Sequence, residues 1–340
     1  MSQSPPSSIV EPQRVGVIAI GRNEGDRLIA CLRSLRAVGA VAIVYVDSGS
    51  TDGSPEAAAA EGADIVALDM SIPFTAARAR NAGVARLLAV APAIDFIQFV
   101  DGDCTLDAAW TSKAVAFLSE RSDIAVVCGR RREKAPDASL YNALCDEEWE
   151  TPIGEAAACG GDALVRRTAF DGVGGYRDDL IAGEEPEMCI RLKDAGWRIW
   201  RLGAEMTLHD AAIYDLAPHW RRAVRAGHAF AEVSHRQRRS PNRLWAKETR
   251  RALLWTGIGP VATVLGVAIH PVCWVALALY PLQIVRLARR AGPRYGRKAL
   301  TVGALSVLTK FAEAKGIATF WISRLKGRRS SIIEYKSAGN

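Results

Sequence analysis

A chain of 340 residues, 49% hydrophobic and 24% charged, can bury a full α/β core and still supply a second unit. Its net charge of +7 conceals a division: residues 1–217 carry 21 Lys and Arg against 33 Asp and Glu, net −12, whereas residues 218–340 carry 23 against 4, net +19. Those cations flank the most apolar stretch of the chain, so the surplus points to an anionic membrane surface and away from nucleic acid.

Residues 1–14, rich in Ser and Pro and without an apolar h-region, read as a disordered leader, neither signal peptide nor anchor. From Val15 strand and helix patterns alternate: a strand to Ile20, an amphipathic stretch with Leu28, Leu32 and Leu35, a strand from Val41 to Val46, and a segment from Ser54 to Ala60. A strand from Ile65 to Leu68, a helix from Ala76 to Val90, a strand ending at Val100 and another from Ile124 to Cys128 follow. This order predicts a parallel, doubly wound α/β sheet within residues 15–217. From Tyr141 to Leu208 the order loosens, with Ala-Cys-Gly-Gly-Asp, a Gly-Val-Gly-Gly-Tyr turn and a helix near Glu187 to Ala195; an acceptor-facing half is expected here. The seven cysteines are odd in number, scattered and without Cys-x-x-Cys spacing, so they read as reduced structural thiols of the cytoplasm.

Residues 218–251 read as a basic interfacial helical segment. Residues 252–285 contain no Asp, Glu, Lys or Arg. As one helix they would run about 51 Å against a hydrocarbon core of about 30 Å, and Pro260, Pro271 and Pro281 interrupt them. Two short helices joined near His270-Pro271, a hydrophobic hairpin over 252–289, fit better, although a buried helical pair in a soluble domain has the same lengths. Arg243, Lys247, Arg250 and Arg251 precede the run and Arg286, Arg289 and Arg290 follow it, which puts both flanks on the cytoplasmic side, as a hairpin or re-entrant loop requires. Ala299 to Leu325 is apolar but carries Lys310, Glu313 and Lys315, the pattern of an interfacial helix; residues 326–340 form a basic, polar tail.

The chemistry concentrates where strands end. Asp101-Gly102-Asp103 closes the apolar run Ile94 to Val100, which places two carboxylates where a buried strand surfaces and where ligands collect in open α/β sheets. Asp-Gly is also an ordinary turn dipeptide, but Arg22-Asn23-Glu24 and Asp47-Ser48-Gly49-Ser50-Thr51-Asp52-Gly53 also follow predicted strands, and His209-Asp210 follows a fourth. Gly-x-Gly-x-x-Gly after the first strand and Gly-x-x-x-x-Gly-Lys are both missing, which removes the main support for dinucleotide and P-loop readings. An EF-hand fails because its twelfth position is Ser112. Glu184 and Glu185 precede Pro186, a first-turn residue, where a helix dipole keeps carboxylates ionised as a general base requires; capping charge alone would give the same pattern.

Val-Ile-Ala-Ile-Gly-Arg-Asn-Glu, Val-Asp-Ser-Gly-Ser-Thr-Asp-Gly-Ser, Ala-Arg-Asn-Ala-Gly at 79–83 and Val-Asp-Gly-Asp together resemble family 2 glycosyltransferases of the GT-A fold. Gly-Glu-Glu-Pro-Glu-Met-Cys-Ile-Arg-Leu at 183–192, ending in Ala-Gly-Trp, resembles that family's acidic motif, with Glu185 where Asp is usual. The likeness runs from about 15 to 210. It implies a Rossmann-like, mostly parallel sheet domain followed here by a helical membrane-associated region, and inverting transfer from a nucleotide-diphosphate sugar with Mg2+ or Mn2+. Glu185, or Glu184 beside it, would be the catalytic base. Asn23, Glu24, Asp47, Arg80, Asn81 and Asp101 would bind the nucleotide sugar, and Asp103, Asp101 and His209 the metal. A structural histidine fits position 209 equally. His219-Trp220-Arg221-Arg222-Ala223 lacks the Gln and Trp of the polymerising members' Gln-x-x-Arg-Trp, which weakens a claim of processive synthesis. The expected acceptor is lipid-linked or a saccharide, in cell-envelope or exopolysaccharide synthesis, with the enzyme at the inner membrane, its catalytic domain facing the cytoplasm and its basic segments on anionic lipids. A nucleotidyltransferase of similar build would want a Gly-rich basic loop after the first strand, which Gly21 to Gly25 imitates poorly; a non-catalytic scaffold would tolerate loss of the acids, yet all are present.

Overall fold

Four apolar segments with turn signals between them become the parallel half of one sheet: β1 (Val15–Gly21), β2 (Ala42–Asp47), β3 (Asp64–Ala67) and β4 (Phe96–Asp101). They are connected by the helices α1 (Asp26–Arg36), α2 (Ser54–Ala60) and α3 (Ala76–Val90). The computed structural model describes residues 14–327, so the expected leader and tail lie outside the described residues except for Arg14, Lys326 and Gly327. The strands stand in the order β3-β2-β1-β4, with Gly21 paired to Asp47 and Ile20 to Asp101. That register brings the loops after β1, β2 and β4 to one edge, as the strand-end argument required.

The second half is mixed. It comprises β5 (Cys104–Leu106), α4 (Trp110–Glu120), β6 (Ile124–Glu133), α5 (Leu140–Trp149), β7 (Gly154–Glu155), β8 (Ala163–Arg166), α6 (Arg167–Gly172), α7 (Glu184–Asp194) and β9 (Arg198–His209). β8 inserts antiparallel between β4 and β6, β9 runs parallel to β6, and the short β5 and β7 pair antiparallel with β9. The mostly parallel expectation holds, but β6 runs five residues past Cys128. The polar Arg130-Arg131-Arg132 does not end it, because β9 continues beside it through register shifts as far as Glu133 opposite His209. α7 begins at Glu184, a turn earlier than its apolar face suggests.

Beyond the sheet, α8 (Leu216–Arg236) leads to α9 (Ala246–Leu253), which passes through one π-turn into α10 (Gly259–Ile269). The chain turns at His270-Pro271, where the imidazole Nδ1 accepts from the Val272 amide, and a 3-10 segment continues into α11 (Leu279–Tyr295). α12 (Ala299–Leu325) does more than lie on a surface: one face packs along α8 and α11, burying Val302, Leu305, Ala312, Ile317 and Phe320. A Cβ at Gly227 would overlap the Glu313 carbonyl, and one at Gly316 that of Val224, so two glycines allow the backbones of α8 and α12 to touch. α10, α11 and their connection leave large apolar side chains outside, including Leu265 at 64%, Val275 at 67% and Leu282 at 64% exposed. Two helical stretches, Ala246–Ile269 and Pro271–Leu325, are long and apolar enough to cross a membrane.

Candidate active site

A cavity of about 560 Å³ opens at the carboxyl edge of the sheet. One wall is the β1 loop (Arg22, Asn23, Glu24) with Asp101, Gly102 and Asp103; the facing wall is the start of α7 with Arg225, Ala226, Ala229 and Phe230 of α8 and Trp245.

Arg80 is the pivot of the acidic groups. Its guanidinium, 3% exposed, lies 2.8 Å from Asp101 Oδ1, 2.8 Å from Glu184 Oε1 and 2.8 Å from Glu185 Oε1. Buried charge of this kind persists only when paired, and three carboxylates around one cation leave a net negative site. Gly161 makes room for the group: a Cβ there would stand 2.8 Å from both Arg80 Nη2 and Asp101 Oδ2. Of the two α7 carboxylates, Glu184 is 4% exposed and Glu185 13%, and burial first and Glu184 second push the Glu185 carboxyl up to about 7.

On the other side of Asp101, Asp103 Oδ2 lies 3.3 Å from His209 Nε2, and both side chains are buried. β5 explains the pairing, since Cys104 stands opposite His209 in the ladder. Burial, and then Arg131, lower the His209 pKa, so the imidazole is neutral at pH 7. Glu133 Oε2 lies 3.9 Å from Nδ1, beyond hydrogen-bond reach, and Nε2 is the ring nitrogen aimed at Asp103. Asp103, Cys104 and His209 form one group of ligand atoms within 4.8 Å of one another, and Asp101, Cys104 and Asp162 another. Carboxylate oxygens with one neutral imidazole suit a divalent cation of the magnesium or manganese kind, whereas the Cys104 thiol, held protonated by burial and by Asp162, contributes little.

The remaining residues singled out in the sequence fall in different places. Asn23 and Glu24 line the cavity, and Asn23 Oδ1 accepts from the Thr51 amide, which joins the β1 and β2 loops. Asp47 is buried at the end of β2, where it accepts from the Tyr45 hydroxyl at 3.1 Å and the Gly49 and Ser50 amides at 2.9 Å. Asn81 is not among the cavity-lining residues: its amide donates to Tyr176 O and Asp178 Oδ1 and clamps the 176–178 turn. Arg78 holds the loop before α3 through the carbonyls of Asp69, Ile72 and Pro73. Gly102 has no left-handed backbone; its value is the close approach to β1, since a Cβ would meet the Ile20 carbonyl at 3.1 Å.

Sequence reading missed Asp162, Arg131 and Trp149. Asp162 Oδ1 accepts from the Asp101 amide and Oδ2 from the Thr207 hydroxyl, so it ties β4 to β9. Arg131 lies 3.5 Å from both Asp101 and Asp162 and stands over the Trp149 ring. Only the Ala-Cys-Gly-Gly-Asp string carried a signal for any of them.

Residues 17–172 match the model of the family described as glycosyl transferase family 2. Pre-mycofactocin glycosyltransferases from two strains of Mycobacterium tuberculosis, CDC 1551 and H37Rv, are each 26% identical over 226 residues, 61% of this chain and 44% of theirs. The chain thus spans less than half the length of the curated relatives it matches. Among solved structures, the mannosyltransferase PcManGT from Pyrobaculum calidifontis, in complex with GDP-Man and Mn2+, aligns with a TM-score of 0.60 at 19% identity, over 90% of this chain and 87% of that one. That likeness shows the shared fold. Glucosyl-3-phosphoglycerate synthase from Mycobacterium tuberculosis aligns with a TM-score of 0.48 at 18% identity, over 66% and 80%. The family match from β1 to α6, somewhat under half of the chain, and the GT-A sheet around it mark this part of the protein as similar to the family 2 glycosyltransferases.

Proposed function

We propose that the protein transfers a sugar, with inversion, from a nucleotide-diphosphate donor to a lipid-linked or saccharide acceptor in cell-envelope or exopolysaccharide synthesis. The observation that carries this reading is one cavity holding the Asp101, Asp103 and His209 edge on one side and Glu185 on the other. Asp103 and His209, with Asp101, would hold Mg2+ or Mn2+, whose charge, when bound, stabilises the departing nucleotide diphosphate. Asp47 and the loop it organises, with Asn23 and Glu24, would seat the nucleotide. Arg80 holds Glu185 beside the acceptor, where the carboxylate takes the hydroxyl proton as the acceptor oxygen bonds the anomeric carbon and the bond to the diphosphate breaks. A panel of nucleotide sugars with and without Mn2+ tests the donor class: one is expected to raise the melting temperature only with the metal, and no shift with any of them would overturn it.

Asp47→Ala is expected to weaken nucleotide binding by about 1 to 3 kcal/mol, because the Gly49 and Ser50 amides lose their acceptor together with any base donor. Titration calorimetry with UDP and GDP reads this, and unchanged affinity for both counts against the assignment.

The exposed apolar faces of α10 and α11, followed by Arg286, Arg289 and Arg290, support insertion into the cytoplasmic leaflet of the inner membrane, with the cationic flanks on anionic lipid. α9 joins the cavity wall at Trp245 directly to this apolar region, which supports a lipid-linked acceptor. Full-length protein is expected to stay with membranes through carbonate and high salt, since salt releases surface-bound cations but not inserted side chains. Reporters fused after Arg251 and after Lys298 should both read cytoplasm; release of the protein by salt alone would replace insertion with adsorption.

A further inference from the structure

Four consecutive residues at the end of α5 reach, between them, β6, α11, α8 and the cavity. Asp146 accepts from Arg132 Nε at 2.9 Å and the Glu133 amide at 3.0 Å on β6, and from Arg294 Nη2 at 3.2 Å on α11. The Tyr295 hydroxyl, also on α11, donates to Glu147 Oε2 at 2.5 Å. Arg222 of α8 grips Glu148 with two bonds of 2.7 and 3.0 Å. Trp149 reaches the cavity, its ring edge-on to His209 at 4.8 Å between centroids and its face 4.9 Å beneath the Arg131 guanidinium.

We propose that Trp149 is a positioning residue for His209 and Arg131, and that α11 fixes its place through the Arg294 and Tyr295 grip on α5. The inference rests on the reading of His209 as a metal ligand. Within the sheet β9 carries His209 between β5 and β6, and the Trp149 ring packs against the imidazole from outside the sheet. Arg131 has its guanidinium between the Trp149 face and two carboxylates, Asp101 and Asp162, so a shift of the indole moves a cation 3.5 Å from Asp101. The Arg294 ion pair is partly exposed and weak by itself, but it acts together with Tyr295, also bonded to the Ala143 carbonyl, on one helix nearly three turns long. Displacing the end of α11 therefore tilts α5 as a unit, and its last residue lies against the site. This gives the apolar C-terminal region a defined mechanical connection to the metal-facing edge of the sheet.

The test uses full-length protein titrated with Mn2+ in the presence of UDP or GDP, with free Mn2+ read by electron paramagnetic resonance, so that binding is measured apart from turnover. Trp149→Ala is expected to weaken Mn2+ binding by about ten- to a hundredfold, the usual cost of losing a partner behind a ligand. Trp149→Phe, which keeps an aromatic face toward both neighbours, should restore most of it. Arg294→Gln with Tyr295→Phe, remote from the cavity, is expected to weaken binding about three- to tenfold without lowering cooperativity of thermal unfolding, whereas Gln283→Ala elsewhere on α11 changes nothing. Wild-type Mn2+ affinity in Trp149→Ala overturns the positioning role. Wild-type affinity in the Arg294 and Tyr295 double variant, with Trp149→Ala impaired, overturns the connection to α11. Failure of the unaltered protein to bind Mn2+ with either nucleotide would instead strike at the metal reading itself.

Discussion

Asp103→Asn is expected to abolish sugar transfer, by about a thousandfold or more, and to remove the metal dependence of donor binding while leaving the fold in place. The size follows from the several kcal/mol that a bound cation contributes to a transition state with charge on the diphosphate. The fold survives because the amide is isosteric and can donate to His209 Nε2, which is neutral and lies 3.3 Å from the present carboxylate oxygen. The buried Cys104 thiol, which donates to Asp103 Oδ1, keeps an acceptor as well. What the variant loses is one negative charge at a place where Arg80 and Arg131 already offset Asp101, so little anionic character remains to hold a divalent ion. Transfer is read from nucleotide diphosphate release and folding from the melting temperature; wild-type turnover in this variant would remove Asp103 from the site.

The metal-facing edge was legible because it depends on short-range facts. An apolar strand that ends in acids surfaces at the sheet's carboxyl edge, and in the structure β1 and β4 meet there as neighbours. His209 followed from the same logic. Asp162, Glu133 and Trp149 were not legible, because they reach the site through β8 inserted between β4 and β6 and through the long β6 to β9 ladder, pairings that local periodicity does not specify. Arg80 was expected to bind the nucleotide sugar; it does line the cavity, but its bonds to Glu184 and Glu185, more than a hundred positions away, were not legible. Asn81 shows a different limit. Successive residues on a helix point about 100° apart, so if Arg80 faces the cavity Asn81 cannot, and it serves the 176–178 turn instead. In α12, Lys310 and Glu313 suggested a helix lying at an interface. Charges within an apolar helix also suit a contact between helices, and Glu313 is buried beside α8 with Lys310 2.6 Å away.

Glu185→Gln is expected to lower turnover by about two to four orders of magnitude with donor affinity nearly unchanged, since Gln keeps the size but cannot accept the acceptor's proton. The pH dependence makes the role specific. With its carboxyl pushed up to about 7 by burial and by Glu184, Glu185 is mostly protonated at pH 6 and mostly ionised at pH 8, so transfer to a hydroxyl acceptor should rise with pH and level off above about 7. The same shift has a stability signature of opposite sign. A carboxyl whose folded value lies above its ordinary 4.5 favours the folded state while protonated, and that contribution is lost as pH rises through about 7. The Gln variant has no proton to lose there, so its melting temperature should overtake that of the unaltered protein above pH 7, and the gap should close below about 4.5. Glu184→Gln separates the neighbours: because Glu184 raises the Glu185 value, its removal should shift the rate profile toward lower pH and leave the plateau standing. If Glu184→Gln is inactive and Glu185→Gln active, the base is Glu184. If neither loses activity, the acceptor brings no proton to be removed, as a phosphate would not, and the carboxylates serve only to hold Arg80 against Asp101.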